Sequence, residues 1–484
     1  MSTENILRVS EILETTAGSL LSGNSGTVVS GITTDTRHIV PDTLFIALEG
    51  ENFDGHDFVK ESFEKGASAI LGETEKLLLQ KDLIGATVIG VEDSLRALGD
   101  IAHYWRMKHD VKILALTGSN GKTSTKEMIA ELLSGTYSTL KNVLNLNNLI
   151  GVPITLLNLR ADHEVAVIEM GMNRPGEISR LTEIADPDFA LITNIHPAHL
   201  EGLKTLKGIQ EAKGELFSGI RDDSTLLVNL NEPLVVELAK RHKKKRVTFG
   251  TSSEADIRLV EVVSQLEEGS RFVLRFPDGE AEMFLPVLGK HHIANALASA
   301  CAAWTMGISI EDIKDGLAKH KPVRQRMDLK RLPGDIHLLD DTYNANPVSL
   351  ASALETLSLL KGNHRALAVL GGMLELGPDA ERFHRKIGER VAQLNFDGLL
   401  SIGELGAEII EGARRMGMPE ELLFLGQDHS EVAKKLKSLL QPGDWILVKG
   451  SRGFKMEVVI EELLKSQEVT NVEWTEKKKA SPGC

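Results

Sequence analysis

The run Thr117-Gly118-Ser119-Asn120-Gly121-Lys122-Thr123-Ser124 packs two glycines, four hydroxyl side chains and one lysine into eight residues. That composition suits phosphate: glycines let the backbone close around an anion, Lys122 can reach the β- and γ-phosphates, and the Thr123 hydroxyl can bind Mg²⁺. The apolar run Ile113-Leu114-Ala115-Leu116 stands directly before it. After it, Met128, Ile129, Leu132 and Leu133 recur at helical spacing ahead of Gly135. Strand, turn and helix N-terminus in this order aim backbone N–H groups and the positive end of a helix dipole at one point. The general P-loop pattern has glycine where this chain has Leu116, so the loop reads as a shortened variant. Thr117 to Thr123 are the expected nucleotide contacts.

To hold such a loop, the chain needs a sheet of buried parallel strands. Val165-Ala166-Val167-Ile168 and Phe189-Ala190-Leu191-Ile192 supply further continuous apolar runs, each bounded by turns. Polar segments close them: Glu169-Met170-Gly171-Met172-Asn173 after the first and Thr193-Asn194-Ile195-His196-Pro197-Ala198-His199 after the second. Strand ends of this kind are where open α/β sheets bind ligands. Between Asp256 and Gly289 the turns Glu267-Glu268-Gly269 and Pro277-Asp278-Gly279 separate β-rich runs and predict a short antiparallel meander. Before this region, residues 1–108 read as a small mixed α/β domain with two helical stretches. After it, alternation restarts with Ile336-His337-Leu338-Leu339, Ala366-Leu367-Ala368-Val369-Leu370, Leu399-Leu400-Ser401-Ile402 and Trp445-Ile446-Leu447-Val448. The expectation is an α/β protein of three domains, 1–108, 109–321 and 322–465, the last Rossmann-like, with a solvated polar tail over 466–484.

The P-loop, Glu169-Met170-Gly171-Met172-Asn173, Thr193-Asn194-Ile195-His196-Pro197-Ala198-His199-Leu200-Glu201-Gly202, Asn145-Leu146-Asn147-Asn148-Leu149-Ile150-Gly151-Val152-Pro153 and Ala212-Lys213-Gly214-Glu215 together resemble the central ATPase domain of the Mur ligases. These are the ATP-dependent amide-forming enzymes of peptidoglycan synthesis. In the third domain, Asp340-Asp341-Thr342-Tyr343-Asn344-Ala345-Asn346-Pro347, Leu370-Gly371-Gly372-Met373-Leu374-Glu375-Leu376-Gly377 and Val448-Lys449-Gly450-Ser451-Arg452 look like the branch that joins D-alanyl-D-alanine to UDP-N-acetylmuramoyl-tripeptide. Gly372 departs from the pattern, which usually has Asp there.

The resemblance implies an acyl-phosphate route. Lys122 would offset phosphate charge, and Thr123 with Glu169 would hold one Mg²⁺. His199 and Lys213 would serve a second, with Lys213 carboxylated to a carbamate, because an ordinary lysine is cationic and repels a metal. On its own Lys213 reads as a solvated helix lysine. Asn295 and Arg326 are implied near the nucleotide. So are Asp341, Tyr343, Asn344 and Asn346, once the third domain closes over the second; alone they read as an Asn- and Pro-built turn. The resemblance assigns substrate contacts to Thr36, Arg37, Asn147 and Asn148, and the first domain to the UDP-sugar. Another amide ligase on this scaffold, a folylpolyglutamate synthetase, or a nucleotide-dependent switch remain the competing readings.

Composition narrows the partners. The 484 residues carry 69 acidic and 55 basic side chains, a formal charge of -14, which disfavours a broad electrostatic hold on nucleic acid or anionic lipid. No run reaches about 18 uninterrupted apolar residues, and the N-terminus lacks a signal-type segment, so membrane insertion is not expected. The two cysteines, Cys301 and Cys484, form no disulfide framework. A cytoplasmic monomer acting on small molecules is the expectation.

Overall fold

The computed structural model describes residues 7–50, 52–79, 85–198 and 200–465. Each long apolar run named above is a strand, because residues that point to alternate faces of a pleat can all be apolar only where both faces are covered. Ile113 to Leu116, Ala166 to Ile168 and Ala366 to Leu370 are all buried. The chain forms two compact units, one of Met1–Pro286 with His291–Lys321 and one of Val287–Lys290 with Pro322–Cys484.

The first unit carries two large sheets. A five-stranded sheet runs in the order Ser19–Ser22, Thr87–Val91, Ala69–Glu73, Thr43–Ile46, Gly31–Thr33, parallel except for the antiparallel pairing of Ser19–Ser22 with Thr87–Val91. A nine-stranded sheet follows, with Lys112–Thr117 between Val165–Glu169 on one side and Phe189–Ile192 on the other, all parallel. From Lys112–Thr117 the chain first goes to the edge strand Thr139–Lys141, returns inward to Val165–Glu169, and then crosses to the opposite side. The strand order therefore reverses at the C-terminal end of Lys112–Thr117, which opens a ligand crevice there. The helix Lys122–Ser134 packs back through Met128, Ile129, Leu132 and Leu133, as the spacing predicts.

The predicted meander is present as Ile257–Leu266, Gly269–Phe276 and Gly279–Leu285. It continues the nine-stranded sheet, since Phe249 and Gly250 pair in parallel with Ile257 and Arg258. The first domain holds more helix than the sequence pattern predicts. Besides Val9–Thr16 and Ser94–Met107 it has Val59–Glu64 and Thr74–Leu78, six and five residues long, too short for a helical period to register.

The second unit is a six-stranded sheet ordered Asp328–Leu332, Ile336–Asp341, Trp445–Lys449, Ala366–Leu370, Gly398–Ile402, Leu423–Gly426. Only the first pair is antiparallel. The polar tail expected over 466–484, with Cys484, lies outside the described residues. Among the described residues no helix is long and apolar enough to cross a membrane.

Candidate functional site

The loop after Lys112–Thr117 is pressed against its neighbours, and the two glycines make that possible. A Cβ on Gly118 would sit 1.9 Å from Thr193 Oγ1. Gly121 has φ of 78°, and a Cβ there would sit 2.3 Å from Asn295 Oδ1. Asn295, on the helix Lys290–Thr305, is thus placed against the loop. Thr117 closes the strand by donating its hydroxyl to Met170 O at 2.8 Å.

Asn194, to which the sequence reading gave no role, organises the turn. Its carbonyl accepts from Ser119 N at 3.0 Å, its Oδ1 accepts from Asn120 N at 2.8 Å, and its Nδ2 donates to Asn120 O at 3.1 Å. Thr193 Oγ1 adds a bond to Asn120 O at 2.7 Å, and Ser119 Oγ donates to His196 O at 2.8 Å. The amides of Ser119 and Asn120 are therefore used within the protein. The helix Lys122–Ser134 begins directly after the loop and turns the positive end of its dipole toward it. Lys122 Nζ lies across the loop and donates to Gly118 O at 2.8 Å.

Glu169 ends the neighbouring strand, in register with Leu116, two residues before the loop begins at Gly118. It is 1% exposed. Its Oε1 accepts from Asn147 Nδ2 at 2.8 Å, while the buried Oε2 has no hydrogen-bond partner among the described residues. A desolvated carboxylate oxygen without a donor is costly to keep, and a hard cation is the partner that suits it. The chemistry of Glu169 Oε2 therefore fits a hard cation such as Mg²⁺. Among the described residues no group of three or more His, Cys, Asp or Glu side chains is arranged to hold a metal.

Lys213, on the helix Leu206–Gly219, is not solvated: it is 1% exposed. Burial drives its ammonium well below the ordinary lysine range, and the nearby Lys122 charge pushes the same way. No hydrogen bond or ion pair joins it to another described residue, so no described partner offsets the cost of charging it. His199 lies outside the described residues. His196 is held below the usual histidine range by burial, with Nε2 3.5 Å from Glu232 Oε1. Burial raises Glu232 to about 7 although Ile195 N–H donates to it.

The other expected contacts fall into separate groups. Asn148 Oδ1 accepts from Gly151 N at 2.8 Å and opens the helix Gly151–Leu156. Thr36 Oγ1 donates to Glu61 at 3.1 Å, and Arg37, largely exposed, pairs with Asp35 at 2.6 Å. In the second unit, the Arg326 guanidinium stacks 4.0 Å over the Tyr343 ring. Buried Asp341 accepts from Lys449 Nζ at 2.5 Å and from Met327 N at 3.2 Å. Lys449 also donates to Asn344 O at 2.9 Å. Asn346 Oδ1 accepts from Ser349 N at 2.9 Å and caps the helix Pro347–Leu360, and Asn344 Oδ1 accepts from Ala345 N at 2.9 Å. At Gly372 the ring of Phe454 fills the space a side chain would take, 2.5 Å from a Cβ.

Three family descriptions match in chain order: Mur ligase family, catalytic domain over 28–106, Mur ligase middle domain over 116–303, and Mur ligase, glutamate ligase domain over 325–452. The UDP-N-acetylmuramoyl-tripeptide–D-alanyl-D-alanine ligase of Bacillus subtilis is 37% identical over 459 residues, 95% of this chain and 98% of that protein. The Escherichia coli ligase of the same name is 38% identical, covering 90% of this chain and 94% of that one. A crystal structure of MurF from Acinetobacter baumannii superposes with TM-score 0.87 at 31% identity, covering 96% of this chain and all 100% of that one. The Thermotoga maritima MurF structure, solved in complex with ADP, gives TM-score 0.80 at 28% identity over 90% of this chain and 97% of that one.

Proposed function

The chain belongs to the Mur ligase family, and from that premise we propose that it joins D-alanyl-D-alanine to UDP-N-acetylmuramoyl-tripeptide at the expense of ATP. A carboxylate does not condense with an amine in water until one of its oxygens becomes a leaving group. In this reading a carboxylate oxygen of the tripeptide attacks the γ-phosphorus, ADP leaves, and an acyl phosphate remains. The amine of D-alanyl-D-alanine then attacks the acyl carbon. A tetrahedral intermediate forms, loses a proton, and collapses to amide and inorganic phosphate.

Each step needs charge held in place. Lys122 moves from Gly118 O onto the β- and γ-phosphate oxygens, and the first-turn amides of its helix face the same anion. Thr123 and Glu169 would hold one Mg²⁺ and His199 with Lys213 a second; when bound, the metal neutralises the charge that builds up on the phosphoryl oxygens. Lys213 is suited to carboxylation because burial disfavours its ammonium form: the neutral amine nitrogen adds to CO₂, one proton leaves, and a neutral group becomes an anion. Asn295, Arg326, Asp341, Tyr343, Asn344 and Asn346 are assigned to the nucleotide, and Asn147, Asn148, Thr36 and Arg37 to the UDP-linked substrate. Residues 1–108, 109–321 and 322–465 are the corresponding domains, and the enzyme works in the cytoplasm as a monomer.

The observation that carries the reading is the bare, buried Oε2 of Glu169 beside the Gly118–Lys122 loop. Phosphate release tests it. With Mg²⁺ and ATP, release should stay near background with either UDP-N-acetylmuramoyl-tripeptide or D-alanyl-D-alanine alone and rise when both are added. Release indifferent to the two substrates would instead mark a nucleotide-dependent switch.

A further inference from the structure

Lys126 lies one helical turn beyond Lys122 and is wholly buried, a costly place for an ammonium. Its donors are met by Asn142 O at 2.8 Å, Leu144 O at 3.3 Å and Glu127 Oε1 at 2.9 Å. Glu127 is held in turn by Lys141. An apolar side chain of like volume would fill the slot more cheaply. What the ammonium adds is a grip on the segment 142–147, and it takes the carbonyls on both sides of Val143. That segment needs holding, because Leu144 is largely exposed and sits at φ of 52°, a conformation that side chains other than glycine adopt at a cost.

Asn142, also fully buried, brackets the main chain of Glu169. Its Oδ1 accepts from Glu169 N at 2.7 Å, and its Nδ2 donates to Glu169 O at 3.1 Å and to Leu146 O at 2.7 Å. Asn147 follows directly: its Nδ2 fixes Glu169 Oε1 at 2.8 Å, and its carbonyl accepts from Gly171 N at 2.7 Å. The hydrogen bonds thus run from Lys126 through the 142–147 segment to the Glu169 carboxylate, and they leave Oε2 bare.

We propose that Lys126 and Asn142 are positioning residues that fix the Glu169 carboxylate in the orientation leaving Oε2 for the nucleotide-bound metal. The inference rests on the assignment of Glu169 as a Mg²⁺ ligand. Both are fully buried and act through Asn147 and the main chain of Glu169.

Lys126→Met, Lys126→Gln and Glu169→Gln, made in parallel, test it. In Lys126→Met, the Mg²⁺ concentration for half-maximal turnover should rise about 10- to 100-fold, the range seen when a ligand's outer hydrogen-bond partner is lost. Mn²⁺ binding to the protein–ADP complex, followed by electron paramagnetic resonance, should weaken by a similar factor. Calorimetric affinity for metal-free ADP should not change. Lys126→Gln keeps part of the donor set and should fall between wild type and Lys126→Met; it also keeps the test open should the methionine variant not fold. Wild-type metal midpoints in both Lys126 variants, with metal binding lost in Glu169→Gln, overturn the inference and leave Glu169 in its role. Wild-type midpoints in Glu169→Gln as well would remove that role and the inference with it.

Discussion

Lys122→Ala is expected to lower kcat/KM for ATP by about 10³-fold or more, roughly 4 kcal/mol of transition-state stabilisation. The expectation follows from where the charge sits. Lys122 starts the helix Lys122–Ser134, and its ammonium bonds Gly118 O across the loop. Lys126 is committed to Asn142 O and Leu144 O, and burial disfavours the charged form of Lys213, so neither is a ready substitute. The fold should tolerate the change, because the bond to Gly118 O is only partly buried and is worth about 1 kcal/mol net. Phosphate release together with a melting curve measures both quantities. Turnover at the wild-type rate would count against the cradle itself.

Lys213→Met should be nearly as damaging to turnover, yet neutral or favourable for stability. Methionine matches the lysine stem in volume and removes a buried amine that makes no hydrogen bond or ion pair to a described residue. The sign of the pH effect is fixed by the depressed lysine pKa. Between that lowered pKa and the ordinary value near 10.5, the unfolded chain binds a proton that the folded chain releases. Unfolding is therefore favoured as pH falls through this window, and methionine removes that slope. If Lys213 carries the carbamate, wild-type activity should fall in CO₂-depleted buffer and return with bicarbonate. Labelled bicarbonate should then give a carbamate ¹³C signal that Lys213→Met lacks. Full activity of Lys213→Met would remove Lys213 from the metal site.

Some of this was legible in the chain because the signals are local. Ile113 to Leu116, a glycine-rich turn and a helical period of apolar residues name a strand, a turn and a helix without knowledge of the partner strands. The role of Asn194 was not legible, because it depends on the register that sets Thr117 opposite Ile192. Lys213 illustrates a signal present but overridden. Ile209, Leu216 and Phe217 lie four before and three and four after it, all buried, so helical spacing places the lysine on the apolar face. Lys126, three and four residues before Ile129 and Ala130, sits in the same way. In the third domain the local and the functional readings of one segment coexist. Asn346, which alone reads as part of an Asn- and Pro-built turn, caps the helix Pro347–Leu360. Tyr343 beside it is covered by Arg326, a contact no spacing rule foretells.

Transfer of isotope tests the central claim most directly. If the tripeptide carboxylate is activated by the γ-phosphoryl group, then UDP-N-acetylmuramoyl-tripeptide labelled with ¹⁸O in that carboxylate must pass one labelled oxygen to the phosphate released with each amide formed. Inorganic phosphate carrying that label is the predicted result. Amide product accompanied by unlabelled phosphate would mean that the carboxylate never bonded to phosphorus, and the account of the site would be wrong.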